Sequence, residues 1–435
     1  MLIIAKSGNK GLWVRLHYPF TRTILLAAAP GRSPDADVEN KHPPLPGFIG
    51  GPDLPTLVPA TDSRVESPTQ QLTCRMPSTP LPVVLATLAL RRKLKQFADR
   101  LVPPQIALLD LGEGVGAVQI AATIAELGIA DALADGPMTA KQVAARVDSD
   151  ADTTHRLLRG AVGCGLCSMD RRTGTVALTR MGAVLRSDHP ASLRAWIRYK
   201  GMRSTVEAWG GLADSVRTGN SSFAVVHGMS VWEWFAAHPD EGQIFAATMR
   251  QATEISARAI ARAYPWPAGG VVCDVAGGIG TLLSVVVTTA RVRGVLVDSP
   301  AMLAQAQQFL RERGVADRVE RVEGDILGTF DVEADVYLLK DVLHDWDEER
   351  CAAVLEAVAK TMPSGSKLVV IEYLQPRNRP NPYSPLLDLH TLTQRDGGRL
   401  RSEAELADLF TKVGLRPTGR RFSVVPHDLV EAEKV

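Results

Sequence analysis

Val271-Val272-Cys273-Asp274-Val275-Ala276-Gly277-Gly278-Ile279-Gly280-Thr281 is the stretch whose reading decides the fold. A short β-branched run stops at a glycine-rich turn, and helical apolar spacing resumes at Ile279. Glycines there let the backbone approach a ligand closely, and the following helix offers unpaired amides at its start. Such a turn also serves NAD, FAD or plain tight packing, so the stretch alone leaves the ligand open. Further along, the apolar runs 294–297, 319–323, 335–339 and 367–371 have the character of strands buried on both faces. Between and after them, helical spacing predicts helices over 279–291, 300–313, 347–361 and 402–413, the last opened by a capping box from Ser402 to Glu405. Strand–helix alternation of this kind predicts an α/β, doubly wound, Rossmann-like parallel sheet. Two alternating runs between Arg416 and Val430 predict an antiparallel pair at its edge.

Polar residues stand where the strands end. Asp298 lies 24 residues beyond Asp274, where a carboxylate can bind both ribose hydroxyls. Asp325-Ile326 follows the third strand, where a carboxylate can meet an adenine amine. Together these ends predict a site for an adenosine. The fourth strand adds Leu338-Leu339-Lys340-Asp341-Val342-Leu343-His344-Asp345-Trp346, with Lys340 at its end and His344 one helical turn later.

At this stretch the chain resembles the class I S-adenosylmethionine-dependent O-methyltransferases of the plant caffeate and bacterial antibiotic type, which carry Lys-x-x-x-His-Asp-Trp. The resemblance spans about residues 100–430. It implies S-adenosylmethionine as cofactor and a small hydroxylated, aromatic acceptor. It also implies Ala276, Gly277, Gly278 and Gly280 as the turn under the cofactor, with Asp298 at the ribose. Asp325 and Ile326 would meet the adenine, and Lys340 would lie near the methionine moiety. His344 would be the general base, oriented by Glu372 in Val369-Val370-Ile371-Glu372. Phe245 and Met249, four apart on a helix, would line the acceptor pocket. No metal is implied. Two departures stand out. Leu400 occupies the place of a second family glutamate, predicting a His344 that is less basic and less firmly held. Ala276 replaces the first glycine of the turn, read as a mild change. Because of Leu400, a cofactor-retaining protein that does not methylate stays open as an alternative, as does a DNA-binding regulator that senses the cofactor.

The remaining chain sets the context. With 49 basic and 48 acidic residues among 435, the net charge is +1, which argues against a nucleic-acid binder that works by neutralising phosphates. The sequence reads as holding no apolar run near the roughly 18 residues that cross a bilayer. The run 24–29 is too short for a secretion signal. Five cysteines suit a reducing compartment, so a cytoplasmic protein without membrane or nucleic-acid partners is expected.

Fifteen of the 28 prolines fall between Pro19 and Pro104, predicting a disordered extension over 1–90, with a native start at Met76 or nearby. Short helices after Leu101, a capping box at Thr139–Gln142, a helix capped by Asp150 or Asp152, and a hairpin across 167–178 predict a mostly helical winged-helix domain over 100–190. The resemblance implies that this domain makes a homodimer and closes one wall of the partner's site. Helices over 191–266 then lead to the cofactor-binding domain, 267–435. Cys164-Gly165-Leu166-Cys167 has metal or redox spacing but no second ligand pair, and is read as packing. The recognition-helix candidate around Arg156 and Arg159 carries few cations, so dimerisation is favoured over DNA there. His390 has no motif and is read as structural. Trp209, Trp232 and Trp234 are left unassigned.

Overall fold

The computed structural model describes residues 3–7, 12–16, 81–328, 330–375 and 383–435. The chain divides into two units, Met1–Gln71 and Leu72–Val435. In the first, β1 (Ile3–Ser7) and β2 (Leu12–Leu16) pair antiparallel, which the expected disorder did not include. Their Ile3-Ile4 and Leu12-Trp13-Val14 runs have the β-branched and aromatic character of strands. The rest of the proline-rich extension, residues 17–80, lies outside the described residues. A helix, Leu81–Arg100, also begins nine residues before the expected end of that extension. Pro82 is tolerated there because the first helical turn has no amide to lose.

Helices Pro104–Gly112 and Gly114–Glu126 follow. Taken together, Pro104–Glu126 is apolar and long enough, by length and composition, to cross a bilayer, which corrects the reading of the sequence. That reading looked for an unbroken apolar run, whereas this stretch dilutes Asp110 and Glu113 among Ala, Leu, Ile and Val. Most of it is not buried within the chain.

Three short strands, β3 (Met138–Thr139), β4 (Cys167–Met169) and β5 (Thr175–Leu178), form a small sheet in the order β3-β5-β4. Thr139 and Gln142 form the expected capping box, and Asp150, not Asp152, caps the Ala151–Gly163 helix. Ile124, Ile129, Val143, Leu158 and Val176 close the core of this winged helix.

The large sheet contains β6 (Val271–Val275), β7 (Arg293–Asp298), β8 (Val319–Glu323), β9 (Val336–Lys340), β10 (Lys367–Glu372), β11 (Leu415–Phe422) and β12 (Asp428–Lys434). Its order is β11-β12-β10-β9-β6-β7-β8. The five strands β6 to β10 run parallel, and β12 lies antiparallel between β10 and β11. Alternate side chains fill two cores. In β9, Tyr337 and Leu339 pack toward helices Glu348–Thr361 and Glu403–Lys412, while Val336 and Leu338 pack toward Pro239–Ala263 and Thr281–Ala290. From β6 the chain winds outward to β7 and β8, then crosses back to β9 and β10. The strand order therefore reverses between β6 and β9, where open α/β sheets bind ligands. Register aligns the strand ends at that crevice, with Val275 opposite Val297, Asp298 opposite Glu323 and Lys340 opposite Ile371.

Candidate active site

β6 delivers the chain into a turn whose backbone is left-handed at alternate positions: Ala276 (φ 55°), Gly278 (61°) and Gly280 (79°). Glycine adopts this at little cost; an alanine is strained by about 1–2 kcal/mol. Ala276 is therefore more than the mild change the sequence suggested. Gly277 is needed for space, since a Cβ there would stand 2.6 Å from both Asp274 Cγ and Leu296 Cδ1. At the end of β7, Asp298 accepts the Gly278 and Ser299 amides, each at 2.8 Å. Burial raises its pKa. Asp274 lies beneath the turn, and its Oδ2 has no hydrogen-bond partner among the described residues. Burial lifts its carboxyl to about 7, opposed by Lys340 and reinforced by Asp298. Asp325 is exposed and accepts the Leu327 amide at 3.0 Å, while Ile326 packs half-buried against the sheet. A Cβ on Gly278 would meet nothing within 4 Å, so the outer side of the turn is open. Three carboxylates and an orphaned buried oxygen around an open glycine turn suit a cationic nucleoside better than a dinucleotide's anionic pyrophosphate.

Across the crevice, Lys340 Nζ donates to Thr253 Oγ1 at 3.2 Å and to the Asp341 carboxylate. Asp341 (φ 56°) also accepts from His427 Nε2 at 3.0 Å. Burial opposes its ionisation, but Lys340 and His427 hold the carboxyl far below the usual range. The short 3-10 turn Leu343–Asp345 then presents His344. Glu372, at the end of β10, secures that turn. Its Oε1 accepts the amides of Val342 (3.0 Å) and Leu343 (2.9 Å), and its Oε2 lies 2.5 Å from His344 Nδ1. Burial pushes the His344 pKa down, but Glu372 and Asp345 outweigh it and bring it to about 9. Without a carboxylate at position 400, the imidazole is still gripped at Nδ1 and is more basic than a free histidine.

Leu400 itself is fully buried, and its amide donates to Asp388. Its neighbour Arg401 grips the histidine loop instead, donating to the carbonyls of Leu343 (2.7 Å) and Trp346 (2.9 Å). Donor atoms of Asp341, His344 and Glu372 lie within 4.8 Å of one another. They are spent on Lys340, His427, one another and two amides, so they make a poor metal cage.

An aromatic wall extends from His344. Tyr199, Trp232 and Phe235 ring Phe245, with centroids 4.9–5.7 Å away, and Trp232 stacks on Trp346 at 6.1 Å. Phe245, Met249 and Thr253 recur every four residues on helix Pro239–Ala263 and share one face. Phe245 meets the aromatic wall, Thr253 meets Lys340, and Met249 lies between them, 39% exposed.

Several residues here escaped the sequence reading. Arg395 donates to Asp345 at 3.0 Å, and the same Asp345 oxygen lies 3.6 Å from His344 Nε2. His390 is buried, with Nδ1 3.1 Å from the Trp209 indole nitrogen and Nε2 3.1 Å from the Tyr199 hydroxyl. Asp341 and Asp345 were signalled only by sitting inside the Lys340–Trp346 stretch. Elsewhere, Cys164 and Cys167 are free thiols, Cys167 buried with its pKa raised to about 11. A cleft of about 830 Å³ opens at the opposite strand ends beside Arg293, Asp335 and Lys367. None of the residues named above for chemistry lines it.

Comparison with known proteins agrees with this geometry. The O-methyltransferase domain family matches residues 209–416, and the O-methyltransferase dimerisation domain matches residues 109–188. The chain is 33% identical over 339 residues to O-demethylpuromycin-O-methyltransferase of Streptomyces alboniger, covering 76% of this chain and 89% of that one. It is also 33% identical over 312 residues to the aclacinomycin 10-hydroxylase RdmB of Streptomyces purpurascens, covering 71% and 82%. Among solved structures it is similar to an O-methyltransferase of neocarzinostatin biosynthesis, crystallised with S-adenosylmethionine and 2-hydroxy-5-methyl naphthoic acid. There the TM-score is 0.64 and the identity 32%, covering 74% of this chain and 96% of that one. Glycine turn, strand-end carboxylates, histidine–glutamate pair and upstream dimerisation domain thus belong together: the chain is a member of the O-methyltransferase family.

Proposed function

We propose that the chain transfers a methyl group from S-adenosylmethionine to a hydroxyl of a small aromatic molecule, with His344 as general base. The observation that carries this is the buried Glu372–His344 pair, which leaves His344 Nε2 turned away from Glu372. S-adenosylmethionine, when bound, supplies a methyl group already activated on a sulfonium. The chain therefore has to bind, align and deprotonate.

Asp298 holds the ribose hydroxyls, Asp325 and Ile326 frame the adenine, and Asp274 and Asp298 favour a cationic ligand. Lys340, fixed by Thr253 and Asp341, bounds the methionine end. A phenol, with a pKa near 10 like that of tyrosine, is a weak nucleophile until it loses its proton. His344 Nε2 takes that proton, and Glu372 stabilises the resulting imidazolium, a step typically worth about 10²–10⁴-fold. Tyr199, Trp232, Phe245 and Trp346 supply flat apolar surface for an aromatic ring. The winged helix and the apolar helices before it would join two chains into a homodimer. The Ala151–Gly163 helix turns Thr154, Leu158 and Ala161 into its own domain's core rather than offering them to DNA.

Titration of the full-length protein with S-adenosylhomocysteine tests the cofactor reading. Micromolar binding that disappears in Asp298→Ala is expected; an unchanged affinity in that variant would remove Asp298 from the site. A second reading, cofactor retention without methylation, is favoured by Leu400 and by the hydroxylase among the relatives. Formation of S-adenosylhomocysteine during turnover separates the two.

A further inference from the structure

The hairpin of β11 and β12 does more than widen the sheet. β12 runs antiparallel to β10 and sets Asp428 opposite Glu372. The loop before it, residues 423–427, therefore falls at the strand ends where Lys340 and His344 are presented. Ser423 fixes that loop, its Oγ donating to the His427 carbonyl at 2.7 Å and accepting the Val425 amide at 3.2 Å. His427 is carried inward, 2% exposed, with its ring 4.2 Å from that of Tyr373, the residue after Glu372.

The imidazole is bonded to one group. Its Nε2 lies 3.0 Å and 3.2 Å from the two oxygens of Asp341. An ionised carboxylate only accepts, so Nε2 carries a proton whichever charge state the ring is in. Nδ1 is buried and has no hydrogen-bond partner among the described residues. Packing alone does not account for a buried ring nitrogen left dry, since that costs stability. Asp341, in turn, needs holding. It stands where the chain leaves β9 for the histidine turn, left-handed at φ 56°. Such a backbone persists where its neighbours over-determine it. Its amide donates to the Ile371 carbonyl at 3.1 Å, and its carboxylate accepts from His427 on one side and from Lys340 on the other.

We propose, resting on the methyltransferase reading above, that His427 is a positioning residue for the cofactor: it fixes the Asp341 carboxylate, and Asp341 fixes Lys340 at the methionine end. An ammonium has three N–H donors. Thr253 and Asp341 take two of those on Lys340, whose side chain is only 7% exposed, and the third is left for the ligand. Its direction is set by the other two, so a carboxylate free to rotate would misalign it. His427 supplies the bond that stops that rotation. It acts through Asp341, not on the ligand itself.

The test is a double-mutant cycle on full-length protein, read as S-adenosylhomocysteine affinity by calorimetry. His427→Phe keeps a ring against Tyr373 and removes the N–H. It should weaken that affinity about tenfold, as losing a hydrogen bond to a charged group does. KM for S-adenosylmethionine should rise in step, with acceptor KM steady. His427→Gln, whose amide reaches about as far as Nε2, should recover most of the loss. His427→Asn, with its shorter side chain, should not. Once Asp341→Asn has removed the carboxylate, adding His427→Phe should cost at most about twofold more.

An unchanged affinity in a cooperatively folded His427→Phe overturns the proposal. So does an equal loss with and without the Asp341 carboxylate, which would make His427 a packing residue. If His427→Phe does not fold, His427→Gln and His427→Asn decide, and equal affinities in those two sink the idea. Wild-type binding that Asp298→Ala abolishes and no His427 variant alters would leave the methyltransferase reading standing without this inference. Wild-type protein that binds no S-adenosylhomocysteine would remove both.

Discussion

His344 and Ala276 show what single positions contribute. A base must be neutral to accept a proton, yet burial, Glu372 and Asp345 together set the His344 pKa at about 9. Activity should therefore climb with pH through the neutral range and level off only above about 9, as a profile of kcat/KM would show. Because the folded-state pKa lies above the unfolded value, the pair's contribution to stability is complete below about 6.5 and lost as pH rises through about 9. Glu372→Gln removes the main opposing charge, so burial prevails. The rising limb should shift toward acid and the maximal rate should fall. A limb that stays in place would assign it to another group. Ala276→Gly should stabilise the fold by up to about 1 kcal/mol, since relief of left-handed strain exceeds the backbone entropy that glycine loses. Thermal unfolding checks this, and a lower Tm would contradict it. The sequence named both residues, but their backbone angle and charge state are set by neighbours from β10 and the histidine turn.

The elements differ in how openly they declare themselves. Strands β6, β7, β9 and β10 were legible because strands buried on both faces are largely apolar runs, and Asp298, Lys340 and Glu372, which end the last three, mark the crevice. β8 corrects the expected buried run: Val319-Glu320-Arg321-Val322-Glu323 is an edge strand in which only Val319 is buried. Capping boxes at Thr139 and Ser402 likewise located helix starts. Helix Ser384–Gln394 was missed. Its buried residues are Ser384, His390, Thr391, Thr393 and Gln394, so it has no apolar period to detect. Within the helical region expected over 191–266, the chain is cut at Met202, where the backbone is extended, and again at Gly211. Arg395 and Tyr199 come from these two poorly signalled regions, which is why the acceptor side was the less legible half of the site. Helix Pro239–Ala263 spans both halves. Met249→Ala should raise KM for the acceptor about tenfold through lost apolar contact, with S-adenosylhomocysteine affinity unchanged. Thr253→Val, which unties Lys340, should weaken that affinity and leave acceptor KM nearly constant. A reversed pattern would place the boundary between the subsites elsewhere on this helix.

At the scale of the whole molecule, apolar residues face outward before the winged helix. Leu94, Phe97, Leu101, Leu108, Leu109 and Leu111 are all more than half exposed. A patch of this extent marks an interaction surface on a water-facing protein, and it adjoins the domain matched to the dimerisation family. Leu108→Glu together with Leu111→Glu should turn a dimer into a monomer in light scattering and lower the activity if the partner closes the pocket. A double variant that remains dimeric would move the interface elsewhere. The order of the large sheet carries a different consequence. β12 follows every other strand in the chain, yet it lies inside the sheet, bonded to β10 on one side and β11 on the other. During synthesis the winged helix can close as soon as its hairpin leaves the ribosome. β10 must wait with an open edge until Asp428–Lys434 emerges, and open edges invite foreign strands. Nascent chains stalled just short of Asp428 would then be the ones that need a chaperone.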